Sequence, residues 1–340
     1  MPDTYTSQFS GEEIDSALRA AQMISGASTP AELRKKLEIR GDTIPVSATD
    51  PTPVSEALTA SGGGVNPNLL DNWYFGRPVN QRGQTEYTEA GYYIDRWILN
   101  GDTATLNGDG ITFVSPSAGR VVAQPIEFPD FLSGKTVTFS IYAKVTSGEW
   151  YLTDTENFAS VHQDVPISTG ITSWTFEVAD ANKFGSGVKS VGFWGGTKGG
   201  QITALAAKLE LGDTQTLAHK ENGVWVLNEI PDYGEQLRRC QRYYFVTNAN
   251  HFFSGWCTTT EKFWTHIPTP VPMRAIPAIS VIKPGSIIFG TSGANFATSA
   301  NQYEIENADA TGIKMAVNIA GLTLGAGILC DGQFAFSADL

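Results

Sequence analysis

From Pro67 onward the chain reads as short runs in which apolar and polar residues alternate. In Thr136–Val145, the residues Val137, Phe139, Ile141, Ala143 and Val145 fall on one face at a period of two, which predicts a half-buried strand. Trp174–Val178 and Ser190–Trp194 predict further strands, each closed by glycine or polar turns. Residues 202–211 (ITALAAKLEL) carry strong helix formers, yet their β surroundings and the turn-like Gly212-Asp213 predict a strand. The run GGTKGG at 195–200 has neither the order of a phosphate loop nor a following helix, and reads as a hairpin loop. The last portion opens with Leu237–Phe245 and continues as β, over Ile276–Lys283, Gly285–Gly290 and Gly312–Asn318.

The start of the chain has a different period. Ser10 followed by Glu13 is a capping box, and Ile14, Leu18 and Ala21 share one helical face, so residues 11–24 predict a helix. Thr29-Pro30-Ala31-Glu32 repeats the signal with Pro30 at the first helical position, predicting a second helix to about Leu37. Neither has enough apolar surface to stand alone. Residues 41–66 are rich in Pro, Ser, Thr and Gly and read as a linker. The expected fold class is mainly β: a small α-helical N-terminal region, a central β-sandwich and a C-terminal β-sandwich domain. The boundaries are 1–40 for helical attachment or oligomerisation, 41–66 for the linker and 67–212 for the central domain. A connecting segment follows at 213–236, then the C-terminal β domain at 237–340.

Composition narrows the function classes. With 23 basic and 35 acidic residues the net charge is −12, so the chain repels phosphate backbones and nucleic acid is not expected as a partner. Charged residues are 17%, against about 25% in an average soluble domain. The absence of any run of about 18 apolar residues argues against membrane insertion. The opening MPDTYTSQFSGEEID has neither a basic start nor an apolar stretch, so no signal peptide is expected. Cys240, Cys257 and Cys330 are widely spaced and form no CxxC pair; they read as small buried hydrophobes, with a Cys240–Cys257 bridge as the lesser option.

Catalytic and metal chemistry find little support in the spacing. His162, His219, His251 and His266 are scattered, so no metal site is expected, and no GxSxG elbow exists. Glu127, Asp130, Glu149, Asp154 and Glu156 could supply the carboxylate pair of a glycosidase, but they sit beside turns, where acidic residues are ordinarily solvated; no catalytic residue is singled out. Aromatic residues, 11% of the chain, are more informative, because flat side chains stack on the apolar faces of sugar rings. Tyr142, Trp150, Tyr151 and Trp194 are the candidate stacking platforms, with Trp256, Trp264 and His266 as secondary candidates. Trp97 reads as structural. Polar, low-charge, aromatic-rich β surfaces suit neutral glycans.

Two resemblances sharpen this picture. Asn68-Leu69-Leu70-Asp71-Asn72-Trp73-Tyr74-Phe75 resembles the opening strand of jelly-roll carbohydrate-binding modules, and Asp95–Trp97 and the strands up to 203–211 follow in a similar order. This implies a jelly-roll β-sandwich for the central domain. Ala206-Ala207-Lys208-Leu209-Glu210 departs from that family's Asp-Asp-Val-type closing strand, so its structural calcium and sugar contacts do not carry over, and no cofactor is expected. Asn68–Trp97, Lys208–Thr216, Glu235–Phe245 and Val271–Ile279, in that order, look like phage and prophage tail-fibre proteins. That resemblance implies a non-enzymatic receptor-binding homotrimer on the virion tail, made in the bacterial host cytoplasm. Its N-terminus would meet other tail or baseplate proteins, and its β domains would bind bacterial surface polysaccharide. The alternatives are a bacterial carbohydrate-binding adhesin and a glycan depolymerase.

Overall fold

The computed structural model describes residues 66–127, 129–154, 162–178, 190–248, 252–289, 295–297 and 302–339. The two helices expected before residue 40 and most of the linker lie outside them. The described chain is mainly β, a β-sandwich protein. Residues 66–218 and 229–340 form one compact unit, and residues 219–228 belong to another.

The central domain contains β1 (Glu86–Tyr87), β2 (Gly91–Tyr92), β3 (Ile98–Leu99), β4 (Thr103–Asn107), β5 (Gly110–Val114) and β6 (Arg120–Pro125). It continues with β7 (Thr136–Ser147), β8 (Trp150–Asp154), β9 (Gln163–Val165), β10 (Thr169–Glu177), β11 (Ser190–Gly195) and β12 (Gln201–Leu211). These make two six-stranded sheets, ordered β1-β4-β5-β12-β7-β10 and β2-β3-β6-β11-β8-β9. The period-two face of β7 (Val137, Phe139, Ile141, Ala143, Val145) is buried between them. A run of edge-to-face and tilted rings crosses the interior from Tyr93 through Phe113 on the first sheet to Phe193 and Trp150 on the second, with centroids 5.7, 5.2 and 6.1 Å apart. Such contacts add about 0.5–1.5 kcal/mol each beyond the area they bury.

The helix formers in β12 are overruled by hydrogen bonding along both edges. One edge pairs with β7, with a bulge between Ala204 and Ala206, and the other pairs with β5 over Gln201–Ala204. Beyond Ala204 the second edge is taken by residues 69–75, at the start of the central domain: Leu69 N–H donates to Leu209 O, Phe75 N–H to Leu205 O, and Ala207 N–H to Trp73 O. The expected opening strand over 68–75 is therefore an irregular ribbon, with only a single bridge, Tyr74 to Ala206. Asn72 breaks its regularity by adopting a left-handed conformation (φ 51°). Its side chain donates to Val79 O and Asp95 O and accepts from Val79 N–H, all within 2.8 Å.

Two hairpin strands, β13 (Ala218–Glu221) and β14 (Val224–Leu227), turn at Asn222-Gly223. Both turn residues have positive φ, 51° and 80°, as a tight Asn-Gly hairpin requires.

Helix α1 (Tyr233–Gln241) follows, where the sequence offered no helix. Asp232 caps it by accepting from Glu235 N–H at 2.8 Å. The helix and the two residues after it dock on the central domain. Gln236 accepts from Asn72 N–H, Arg239 pairs with Asp71 at 2.7 Å, and Arg242 forks onto Glu127 at 3.0 and 3.2 Å. Tyr243 donates to Glu127 and lies under the buried Arg96 guanidinium, 3.5 Å from carbon to ring centroid.

The C-terminal strands are β15 (Tyr244–Val246), β16 (Phe253–Cys257), β17 (Lys262–Pro268), β18 (Ala278–Phe289), β19 (Asn295–Ala297), β20 (Tyr303–Asp309), β21 (Gly312–Asn318) and β22 (Gly327–Ser337). They form one sheet, ordered β19-β18-β22-β16-β17-β21-β20, with β15 also on β22. The sheet folds over onto itself: Tyr303 of β20 packs on Phe334 of β22 at 5.1 Å and accepts from Gly285 N–H of β18. Phe253, Phe263, Met315, Phe334 and Phe336 fill its interior. Cys240, Cys257 and Cys330 are free and buried. The two strands expected at 276–283 and 285–290 are one, β18, which carries Pro284 between two register shifts.

Candidate functional site

The period-two rule decides which aromatic side chains reach a surface. In β8, Trp150 and Leu152 point into the sandwich and Tyr151 points out. Trp150 is 1% exposed in the core, so it cannot stack on a ligand, contrary to its place among the candidate platforms. In β11, Phe193 points in and Trp194 out. Pairing puts Asp164, Tyr151, Trp194 and Val121 directly abreast on the outer face of the second sheet.

Tyr151 and Trp194 lie ring over ring, 4.7 Å apart and tilted by 30°. His162 meets Tyr151 edge-on at 4.5 Å and Trp194 at 6.2 Å. The scattered spacing of the histidines concealed His162, which joins this row because β9 pairs with β8. Glu149 Oε2 accepts from the Tyr151 hydroxyl at 3.3 Å and from Thr197 Oγ1 at 3.0 Å. Burial, with the Glu149 carboxylate beside it, holds the Tyr151 hydroxyl above its usual range, so it stays a donor. The GGTKGG loop lies alongside: Gly196 N–H donates to Glu149 O at 2.8 Å, and a Cβ at Gly196 would stand 2.4 Å from the Tyr151 ring. The row is thus two adjacent half-buried rings and an exposed imidazole, rimmed by a carboxylate and a hydroxyl.

Tyr142 stands on the opposite face of the sandwich, on the outer side of the first sheet, between Ile171 and Ala206. Further along that side the chain covers itself. Lys208 and Glu210 are fully buried, with Lys208 Nζ 3.8 Å from Glu210 and 3.5 Å from Glu229, and Thr216 donating twice to Glu210. Tyr142 is therefore not part of the Tyr151–Trp194 row.

Among the secondary candidates, Trp256 is 60% exposed and directly opposite Trp264 on the outer side of the C-terminal sheet. Lys314 Nζ sits 3.3 Å from the Trp264 ring centroid, so that face is already occupied by a cation. His266 lies two residues on, opposite Lys314, and is exposed. Of the carboxylates weighed for hydrolysis, Glu127 is consumed by Arg242 and Tyr243, and Glu156 lies outside the described residues. Among the described residues no three His, Cys, Asp or Glu side chains stand together as a metal site, and no helix is long and apolar enough to cross a membrane.

No protein-family model matches the chain, and no curated protein matches it. Among solved structures it is similar to the xylan-binding module CBM15, with 17% identity over 43% of this chain and 95% of that chain, at a TM-score of 0.26. It is also similar to a CBM4 module, with 17% identity over 42% and 99%, at a TM-score of 0.29. The tandem CBM22-1-CBM22-2 domain of Paenibacillus barcinonensis Xyn10C aligns over 81% of this chain and 98% of its own, with 8% identity and a TM-score of 0.27.

Proposed function

We propose that the chain is a non-enzymatic glycan-binding protein and that the Tyr151–Trp194 row is its sugar platform. The observation that supports this reading best is the pair of adjacent rings on an outer sheet face, with the acceptor Glu149 and the hydroxyl of Thr197 at their edge. Stacked rings take the apolar face of a pyranose, and the rim takes its hydroxyls. The finer reading is a phage tail-fibre-like receptor-binding homotrimer on the virion tail, recognising bacterial surface polysaccharide and joined to other tail or baseplate proteins through its N-terminus. The order of the tail-fibre-like segments from Asn68 to Ile279 favours it over a bacterial adhesin, which would use the same platform.

Trp194→Ala removes the larger ring. Titration of bacterial cell-wall polysaccharide by isothermal calorimetry is expected to show a drop in affinity of about tenfold or more, equivalent to ~1.4 kcal/mol. Unchanged binding would sink the platform. Light scattering after size exclusion tests the finer reading: three chains of 36.6 kDa give about 110 kDa. A monomer at every concentration would leave the adhesin in its place.

A further inference from the structure

A cavity of about 510 Å³ lies on another part of the molecule, walled by residues 81–92 of the central domain and by β15, β18 and β22 of the C-terminal sheet. Its size falls within the range of small-ligand sites, about 300–1,000 Å³. Arg82 forms its floor and is held rigidly: Nη1 pairs with Asp95 at 2.8 Å, Nη2 pairs with Asp339 at 2.7 Å, and its carbon lies 3.8 Å from the Tyr244 ring centroid and 5.3 Å from that of Tyr92. Gln81 locks the wall by donating to Tyr244 O at 2.6 Å and to Asp95 at 3.0 Å.

The charge arithmetic excludes an anionic occupant. Two carboxylates already answer the one cation in the lining, and Glu89 adds an exposed negative charge. What remains to meet a ligand is the amides of Gln84 and Gln333, the Thr88 hydroxyl and the Glu89 carboxylate, set among the Tyr92 and Tyr244 rings and the aliphatic side chains of Val246 and Ile282. Amides both donate and accept, and a carboxylate accepts from two neighbouring hydroxyls at once. The aliphatic groups of Val246 and Ile282 take the C–H faces between them.

We propose that this interdomain cavity is a second saccharide site, selective for neutral glycan units and independent of the Tyr151–Trp194 row. It rests on the reading of the protein as a glycan binder but shares no residue with the platform. Gln84, Glu89 and Ile282 are exposed, so changing them leaves the fold intact. The test uses the full chain on a printed array of neutral and acidic bacterial and plant glycans, comparing wild type, the double variant Gln84→Ala/Glu89→Ala, Ile282→Trp and Trp194→Ala. Circular dichroism checks the fold of each. Expected are neutral glycans that Trp194→Ala still binds, and that the double variant and Ile282→Trp bind at least about tenfold more weakly than wild type. Pocket variants equal to wild type on every glycan overturn the second site, as does binding confined to acidic glycans. If only Trp194→Ala loses binding, the second site fails and the platform stands. If only the pocket variants do, the platform fails and the second site stands.

Discussion

Asp102 is fully buried beside Ser115 and Arg120, and burial pushes its carboxyl up to about 6 from the ordinary 3.8. Because the folded-state value is the higher one, the folded state holds this proton more tightly. The stability from that proton is complete below about pH 4 and is lost as pH rises through about 6. Asp102→Asn is therefore expected to add on the order of 2 kcal/mol at pH 7 and to flatten the pH 4–6 slope, as measured by urea unfolding across that window. A wild-type-like slope in the variant would contradict it. The neighbouring pair Trp150 and Tyr151 shows how one residue of register separates core from surface. Both are aromatic, and Gly148-Glu149 before them gives no parity, so which one faces out is set only by the pairing of Tyr151 with Trp194.

Gly192 occupies the middle of β11, where a Cβ would stand 2.0 Å from Val122 O and 2.7 Å from the Ala123 Cα. Gly192→Val must pry β11 from β6 and is expected to cost about 2 kcal/mol or more, read as a lower melting temperature. The same displacement moves Trp194 off Tyr151, so glycan binding should weaken with it. Elements with a strong local pattern were legible: the alternation in β7, the glycine-bounded β11 and the turn closing β12 all appear where the sequence places them. Those held by distant partners were not. Helix α1 is nine residues long and too short to stand alone, and it owes its place to Asp71, Glu127 and Asn72, more than 100 residues away in sequence. The ribbon at 68–75 was expected to be a strand from its resemblance to the opening strand of jelly-roll modules, but Asn72 is bound to the loop ending at Val79 instead of a ladder. Of the site, the residue types were readable, while the meeting of Tyr151, Trp194 and His162 depends on the β9-β8-β11 pairing.

At the scale of the whole molecule, charged clusters tie the two β domains together: Arg239 on Asp71, Arg242 on Glu127, and Arg82 shared between Asp95 and Asp339. Calorimetry is expected to show both domains melting in one transition. Glu127→Ala removes both the fork to Arg242 and the Tyr243 hydrogen bond. Because Arg242 is 43% exposed, solvent screens the pair, and a double-mutant cycle with Arg242→Ala should give a coupling of only about 1 kcal/mol. Two separate transitions in the wild type would contradict the tie.

The docking of α1 also bears on how such a chain can be remade. A C-terminal domain grafted from another protein brings its own residues to the positions of Gln236, Arg239, Arg242 and Tyr243, and these must meet Asn72, Asp71 and Glu127 on the resident domain. A crossover near residue 232 separates the two halves of every one of these pairs: Glu127 loses Arg242 and Tyr243, Asn72 loses Gln236, and Asp71 keeps Arg96 but loses Arg239. A crossover ahead of Asn66 carries both halves together. Chimeras built at the second seam should keep the stability of their parents and those built at the first should lose part of it, so exchange of binding specificity between chains of this kind is best made as a trade in domain pairs.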